Sequence, residues 1–492
     1  MQHLTQQIFW LAIVLTMFRA AWSDEPAADD DPNVPPTITL STAVAPEPRP
    51  ALKYRLAIDT NERKPGNAAT HYYRAIILQR QQPKEYWQQA ADNHSTWNEG
   101  PDDRFPKADV AKWLAAQESV LAELRQAAYR EHCDWELRLQ DLRGPELYSY
   151  LIPEIQHCRE LARTLRLKAR YEIIDGRRRD ALETLRQGYQ LARDTAQPPF
   201  IVAGLVGVAI EGIMTAELEH LIRTGDENYY WAIATLPQPV TNLRTALQFE
   251  MSSPYQVFPF LKDAETAIRS PEEWRMLIVR SLEDLSNLGG PGAFKVWQGE
   301  LAAAGLMAKL YPVAKQELLA AGMSREQVET MSVGQAVAVH TARATESLYH
   351  ELFKNLLLPY PPAVGRLAEV SQRWAKDEVR PDAGLTGKFG LPIASLFLPA
   401  VDGVLRAQIR GTRTLAALQV VEAIRMHSAV SGNLPASLAD VSIVPVPVNP
   451  ATGESFTYAY DGATGVATLD VPPSPGHPAR YEGKHYILRL RK

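Results

Sequence analysis

Along most of this chain the hydrophobic positions recur at helical spacing, and only near its end do they fall into alternation. Val110, Trp113, Leu114, Leu121, Leu124 and Ala128 share one face of a 3.6-residue period, which predicts amphipathic helix from Asp109 onward. Residues 161–195 predict two amphipathic helices that meet at Asp175-Gly176, where glycine supplies the left-handed conformation that ends the first. Residues 204–222 are apolar on nearly all sides until Glu211. The uncharged stretch from Pro198 to Ile210 is well short of the ~20 residues a membrane span needs, so a buried central helix is expected there. Ala203, Gly204 and Gly207 would let another helix approach it closely. Further helices are predicted over 271–287, 296–321, 325–357 and 403–428, separated by GGPG, by PYPP and by the glycine-rich loop 381–391. Period-two alternation of Leu52, Tyr54, Leu56 and Ile58 predicts a short extended segment. The same period predicts strands over 455–460, 466–471 and 486–490, with Asp461-Gly462 turning the first into the second.

The beginning of the chain breaks the pattern. Ile8 to Phe18 is an apolar run too short to cross a bilayer, and Ala21-Trp22-Ser23 places small residues before a plausible cut at Asp24, the form of a secretory signal. Residues 24–50 hold seven prolines and six acids, a composition that predicts a disordered tether. The fold expected is mainly α: irregular, repeat-like helical hairpins (α-solenoid-like) with a small C-terminal α+β cap of two to three antiparallel strands. The divisions expected are a signal peptide over 1–23, the tether over 24–50, a helical domain over 51–402 and a helix plus β-hairpin cap over 403–492.

Composition changes this picture little. Apolar residues make up 46% of the 492 and charged residues 22%, and the net charge is −5. A large core is available, and nothing in the charge balance points to nucleic acid or an anionic membrane surface.

Candidate chemistry is sparse. Cys133 and Cys158 are the two cysteines, each following a histidine in EHCDW and QHCRE. Adjacent helical residues point about 100° apart, so one zinc ion would rarely collect both members of each pair. Two readings stay open: buried unpaired thiols, or a disulfide between Cys133 and Cys158 in an oxidising compartment. His350-Glu351 begins a zinc-protease-like motif, but Lys354 stands where its second histidine belongs, so His340 and His350 are expected to be solvated or core-edge residues. No GxSxG elbow and no Ser-x-x-Lys set occurs, and GGPGAFK lacks phosphate-loop spacing. Ten basic residues between Arg159 and Arg193 are expected to form a solvated face. No catalytic, cofactor-binding or metal-binding residue is assigned.

Three resemblances accompany these patterns. Ala169, Gly176, Ala181, Leu185 and Gly188 sit at the small, turn, small, large and small positions of a tetratricopeptide repeat, so residues 161–195 resemble one such hairpin. Gly432-x-Leu434-Pro435, Leu438, Asn449-Pro450, Thr452-Gly453 and the aromatic strand after them resemble the head region of type II secretion pseudopilins over about 60 residues. Here the corresponding helix follows some 400 residues and carries Arg406, Arg410 and Arg413, so polymerisation is not implied. KYRL, PGNAATHYYRAI, CDWEL, NYYWAIATLP and the GNLP…NPATG tail resemble a family of uncharacterised exported helical proteins of environmental bacteria, a likeness that implies architecture and no activity. The expected protein is therefore exported, periplasmic or secreted, without a cofactor and without a transmembrane span after signal cleavage. Its expected role is a non-enzymatic binding or scaffold protein of the cell envelope with a protein or peptide partner. An exported hydrolase with a dispersed site and an accessory of a secretion apparatus are the alternatives.

Overall fold

The computed structural model describes residues 31–141, 153–288, 299–377, 390–391, 393, 398–474 and 478–491. The expected signal peptide over 1–23 lies outside them, as do GGPG and most of the loop 381–391. The helices of nine or more residues are α1 (Ala68–Arg80), α2 (Lys84–Asp92), α3 (Lys107–Ala116), α4 (Glu118–Ala128), α5 (Pro153–Ile174), α6 (Arg178–Thr195), α7 (Ile201–Thr224), α8 (Arg244–Ser252), α9 (Pro271–Leu288), α10 (Glu300–Ala320), α11 (Val333–Leu356), α12 (Tyr360–Asp377) and α13 (Leu398–Ser431). The strands are β1 (Thr37–Thr42), β2 (Lys64–Asn67), β3 (Arg130–His132), β4 (Thr457–Asp461), β5 (Val466–Val471) and β6 (Lys484–Leu490). The fold is mainly α with a small sheet, the class read from the sequence.

Two compact bodies divide the described chain. The first joins residues up to 137, 152–243 and 406 onward; the second is built from 244–405 with a short piece at 138–141. In the first body α5 and α6 form the expected hairpin. Gly176, at φ 77°, ends α5, and the Arg177 amide reaches back 2.8 Å to the Glu172 carbonyl. Helix α7 packs on that hairpin through Gly207: a Cβ there would stand 2.6 Å from the Ala192 carbonyl oxygen, so the close approach needs glycine. Among the described helices α7 alone is long and apolar enough to cross a membrane, and 78% of its apolar window is buried inside the protein.

The sheet runs β1-β6-β5-β4, antiparallel except where β1 lies parallel to β6 with Leu40 opposite Leu488. This corrects the tether expected over 24–50. Residues 37–42 (TITLST) are mostly β-branched and pleated, with Leu40 and Thr42 buried, and the flanking prolines hid them in the average composition. It also alters the expected cap over 403–492. Leu40, Leu469, Tyr486 and Leu488 share one core with Ile210, Met214 and Leu218 of α7 and Leu415 and Leu418 of α13. The Tyr486 hydroxyl and Lys484 Nζ both donate to Glu219 on α7, each at 2.7 Å. The C-terminal strands are thus an integral layer of the first body.

Other segments differ for local reasons. Leu52 to Ile58 forms no strand: Tyr54, Leu56 and Ile58 are buried as their alternation implied, but the Leu56 and Ala57 amides donate to Thr235 Oγ1, each at 3.1 Å, in place of a neighbouring strand. The helix expected over 325–357 is two, Arg325–Thr330 and α11, because the Ser324 and Ser332 hydroxyls each cap the amide three residues on. Helices α8 and α12 were not anticipated; the chain breaks at 357–359, at the PYPP expected to separate helices, and the later prolines sit in the first turn of α12, whose amides have no intrahelical partner. The β4–β5 turn places its left-handed glycine at Gly465, not Gly462. Gly432, at φ 79°, ends α13.

The second body packs around Trp274, Ile278, Leu282, Leu306, Leu310 and Val337 from α9, α10 and α11. Against α11 lies the segment 252–266, broken into four-residue turns at Pro254–Val257 and Phe260–Asp263. Pro254 and Pro259 lack the amide a continuous helix would need, so the chain bends there.

Candidate functional site

Cys133 and Cys158 are both free thiols, Cys158 in the core on α5 and Cys133 partly buried just after β3. Burial pushes both thiols up, Cys158 to about 12, which keeps them protonated and poor nucleophiles. Beside them Asp194 accepts from the Tyr72 hydroxyl and from Gln190 Nε2, each at 2.8 Å, and its carbonyl accepts from Trp135 Nε1 at 2.8 Å. Burial pushes its carboxyl up to about 6. The neighbouring histidines go elsewhere: His132 is exposed, and His157 lies 3.3 Å from Arg80. Among the described residues no three His, Cys, Asp or Glu side chains are placed to hold a metal ion.

The run of basic residues is not simply a solvated face. Arg166 and Arg170 of α5 turn inward to a cluster centred on His220 of α7. His220 Nε2 lies 3.0 Å from Asp102 and Nδ1 lies 3.2 Å from Glu217, so both ring nitrogens donate and the ring is an imidazolium. Arg166 Nε donates to Glu217 at 3.0 Å, and Arg170 donates to Asp102 at 3.3 Å and to the Gly100 carbonyl. Burial penalises the charged imidazole, but its hydrogen bonds to Asp102 and Glu217 outweigh that and hold its pKa above the ordinary value. A second knot lies in α13. Glu422 and Arg425, both essentially inaccessible, pair at 2.5 Å, and Arg425 also donates to the carbonyls of Ala43, Gly225 and Glu227. Glu422 accepts from the Tyr229 amide at 2.5 Å. Each group in these knots is consumed by the backbone or side chain it fastens.

The second body offers something different. Between α11 and the 252–266 segment lies a cleft of about 810 Å³. Buried Ala264 and Ala342 line it, and Arg343 crosses it to grip Glu265 through both oxygens at 2.5 and 3.0 Å. Tyr255 and Tyr349 stand at right angles with centroids 6.4 Å apart. Phe353 stacks parallel to Tyr349 at 5.9 Å and so holds its ring. Burial, then the charge of Glu346, pushes the Tyr255 hydroxyl up to about 12. Among the described residues, the Tyr255 and Tyr349 hydroxyls, the Gln256 side-chain oxygen, Lys262, Glu346 and His350 have no hydrogen-bonding or ion-pair partner, although all line one cleft.

His340 and His350 are thus separated by environment: His340 is buried on α11, and His350 is exposed at the cleft against the Tyr349 ring. Sequence reasoning missed Tyr255, Lys262 and Glu346. The available signal was Glu346, Tyr349, His350 and Phe353 at spacings of three and four, which share one face of a helix. A second hollow, about 530 Å³, lies in the 438–446 loop and carries no ionisable side chain. No family model, no curated protein and no solved structure matches the chain.

Proposed function

We propose that this is a non-enzymatic binding protein of the cell envelope, and that its ligand occupies the cleft of the second body. The observation that carries this reading is the set of polar ends around Tyr255 and Tyr349 that the fold does not use. Polar groups converging in a concave, partly aromatic site without internal partners are the form of a ligand site. Export rests on the apolar run at 8–18 and the small residues before Asp24.

The test is retention. Residues 24–492 are equilibrated with native envelope extract, and bound peptides and small molecules are identified by mass spectrometry, alongside a Tyr255→Ala/Tyr349→Ala variant. A species held by the wild type and lost by the variant supports the reading; identical profiles from the two refute it.

One observation favours hydrolysis as a second reading. Glu346 and His350 are one turn apart beside Tyr255, a spacing suited to an acid–base pair. Against it, the Ser252 hydroxyl, the serine on that wall, donates to the Phe249 carbonyl at 2.8 Å. Turnover of a retained species that stops in His350→Ala while binding persists would establish the enzyme reading.

A further inference from the structure

The cleft also carries information about what it holds, given that it is the ligand site. The face of an aromatic ring attracts a cation through its quadrupole, and a nearby carboxylate adds direct charge. Tyr255 and Tyr349 line one corner of the cleft as an edge-to-face pair, 90° apart at 6.4 Å, with Phe353 stacked parallel to Tyr349 from the next turn. Glu346 lies on the same stretch of α11, and its charge is felt at the Tyr255 hydroxyl. Arg343 feels the charge of Glu346, but its two hydrogen bonds go to Glu265. The corner is therefore aromatic, and its exposed carboxylate is hydrogen-bonded to no cation among the described residues. Lys262, on the opposite segment, is available for an acceptor elsewhere on the same ligand.

We propose that the corner formed by Tyr255, Tyr349 and Glu346 binds an organic ammonium group, primary or quaternary, carried by the ligand. This rests on the cleft being the ligand site. An ammonium head is attracted by ring face and carboxylate alike, whereas an anionic head would be repelled by Glu346.

The test compares choline with its uncharged isostere 3,3-dimethyl-1-butanol, and with acetate and glucose, by ligand-observed NMR on the full mature protein. Glu346→Gln and Tyr349→Ala variants are run beside it, each first checked for an unchanged circular dichroism spectrum and melting curve. The expected result is binding of choline at least tenfold tighter than its isostere. Glu346→Gln should weaken it about tenfold and largely abolish the preference for charge, and Tyr349→Ala should weaken it by a similar factor. Glu346→Gln removes only charge, so it keeps the test decisive should the tyrosine variant fail to fold. Binding of acetate or glucose in preference to choline, sensitive to Tyr349→Ala, would overturn the ammonium assignment and leave the cleft as a ligand site. If none of the four probes binds in a way sensitive to either variant, the ammonium assignment fails, and identical retained profiles from extract would show that the cleft reading fails with it.

Discussion

Polar side chains are used differently in the buried knots of the first body and in the cleft of the second. In the first, Glu422, Arg425, His220, Glu217 and Asp102 are tied to one another or to backbone carbonyls. In the second, Lys262, Glu346 and His350 meet in a cleft and bond to nothing the structure describes. A buried charge left unpaired is expensive, so the first arrangement is what a stable core requires. Polar ends held at a concave surface cost little while water solvates them, and they remain available to a ligand. The lesson is that the conspicuous charge clusters in this protein serve its fold, whereas the quieter cleft is where we place the proposed ligand.

The largest effect that would sharpen this contrast is expected at Arg425. Arg425→Ala leaves the Glu422 carboxylate buried without its cation and with only the Tyr229 amide as partner, which should cost about 3–5 kcal/mol in denaturant unfolding. The double change Glu422→Gln/Arg425→Met should recover much of it. A loss under 1 kcal/mol from the single change would contradict the clasp.

Next comes pH. His220, with its pKa raised, contributes stability that is complete below about 6.5 and is lost as the pH rises through its folded value. Asp194 and Glu211, raised by burial to about 6 and about 7, act with the same sign: each favours the fold most below its unfolded value near 4 and less as the pH climbs through the folded one. Asp102 is held low by its hydrogen bond to His220, and Glu217 is held low by His220 and Arg166 against its burial; their contribution is lost at the acid end. The first body should accordingly be most stable near pH 4–5 and lose several kcal/mol by pH 8, roughly 1.4 kcal/mol for each unit of pH through which one raised group must ionise. His220→Gln should flatten that slope, as followed by hydrogen exchange of α7 amides. A flat profile in the wild type would contradict the cluster's role.

Smaller still is the helix contact. Gly207→Ala drives a methyl against the Ala192 carbonyl oxygen and should cost about 1–3 kcal/mol in thermal unfolding. No change would mean that the α6–α7 approach is looser than 2.6 Å implies.

Hydrophobic periodicity made the α5–α6 hairpin, α7 and the three C-terminal strands legible, because a buried face must repeat with the period of its element. What it could not convey was partnership. Nothing in TITLST says that its neighbour is β6, more than 400 residues away. Nor does Arg166 in a basic run declare that it faces Glu217 on the next helix but one. The cleft was half legible: α11 displays Glu346, Tyr349 and His350 on one face, but Tyr255 and Lys262 come from a proline-broken segment with no periodicity to read. The two cysteines attracted attention by rarity, and the structure places them in and beside a core as protonated thiols.

The most direct test of the contrast is denaturant unfolding of the triple variant Lys262→Ala/Glu346→Gln/His350→Ala, with hydrogen exchange over 244–405 reporting the second body. Because the fold makes no use of these side chains, the account predicts protection within about 0.5 kcal/mol of the wild type per substitution. A loss of about 3 kcal/mol or more would show that the cleft residues serve the fold, and would contradict the account.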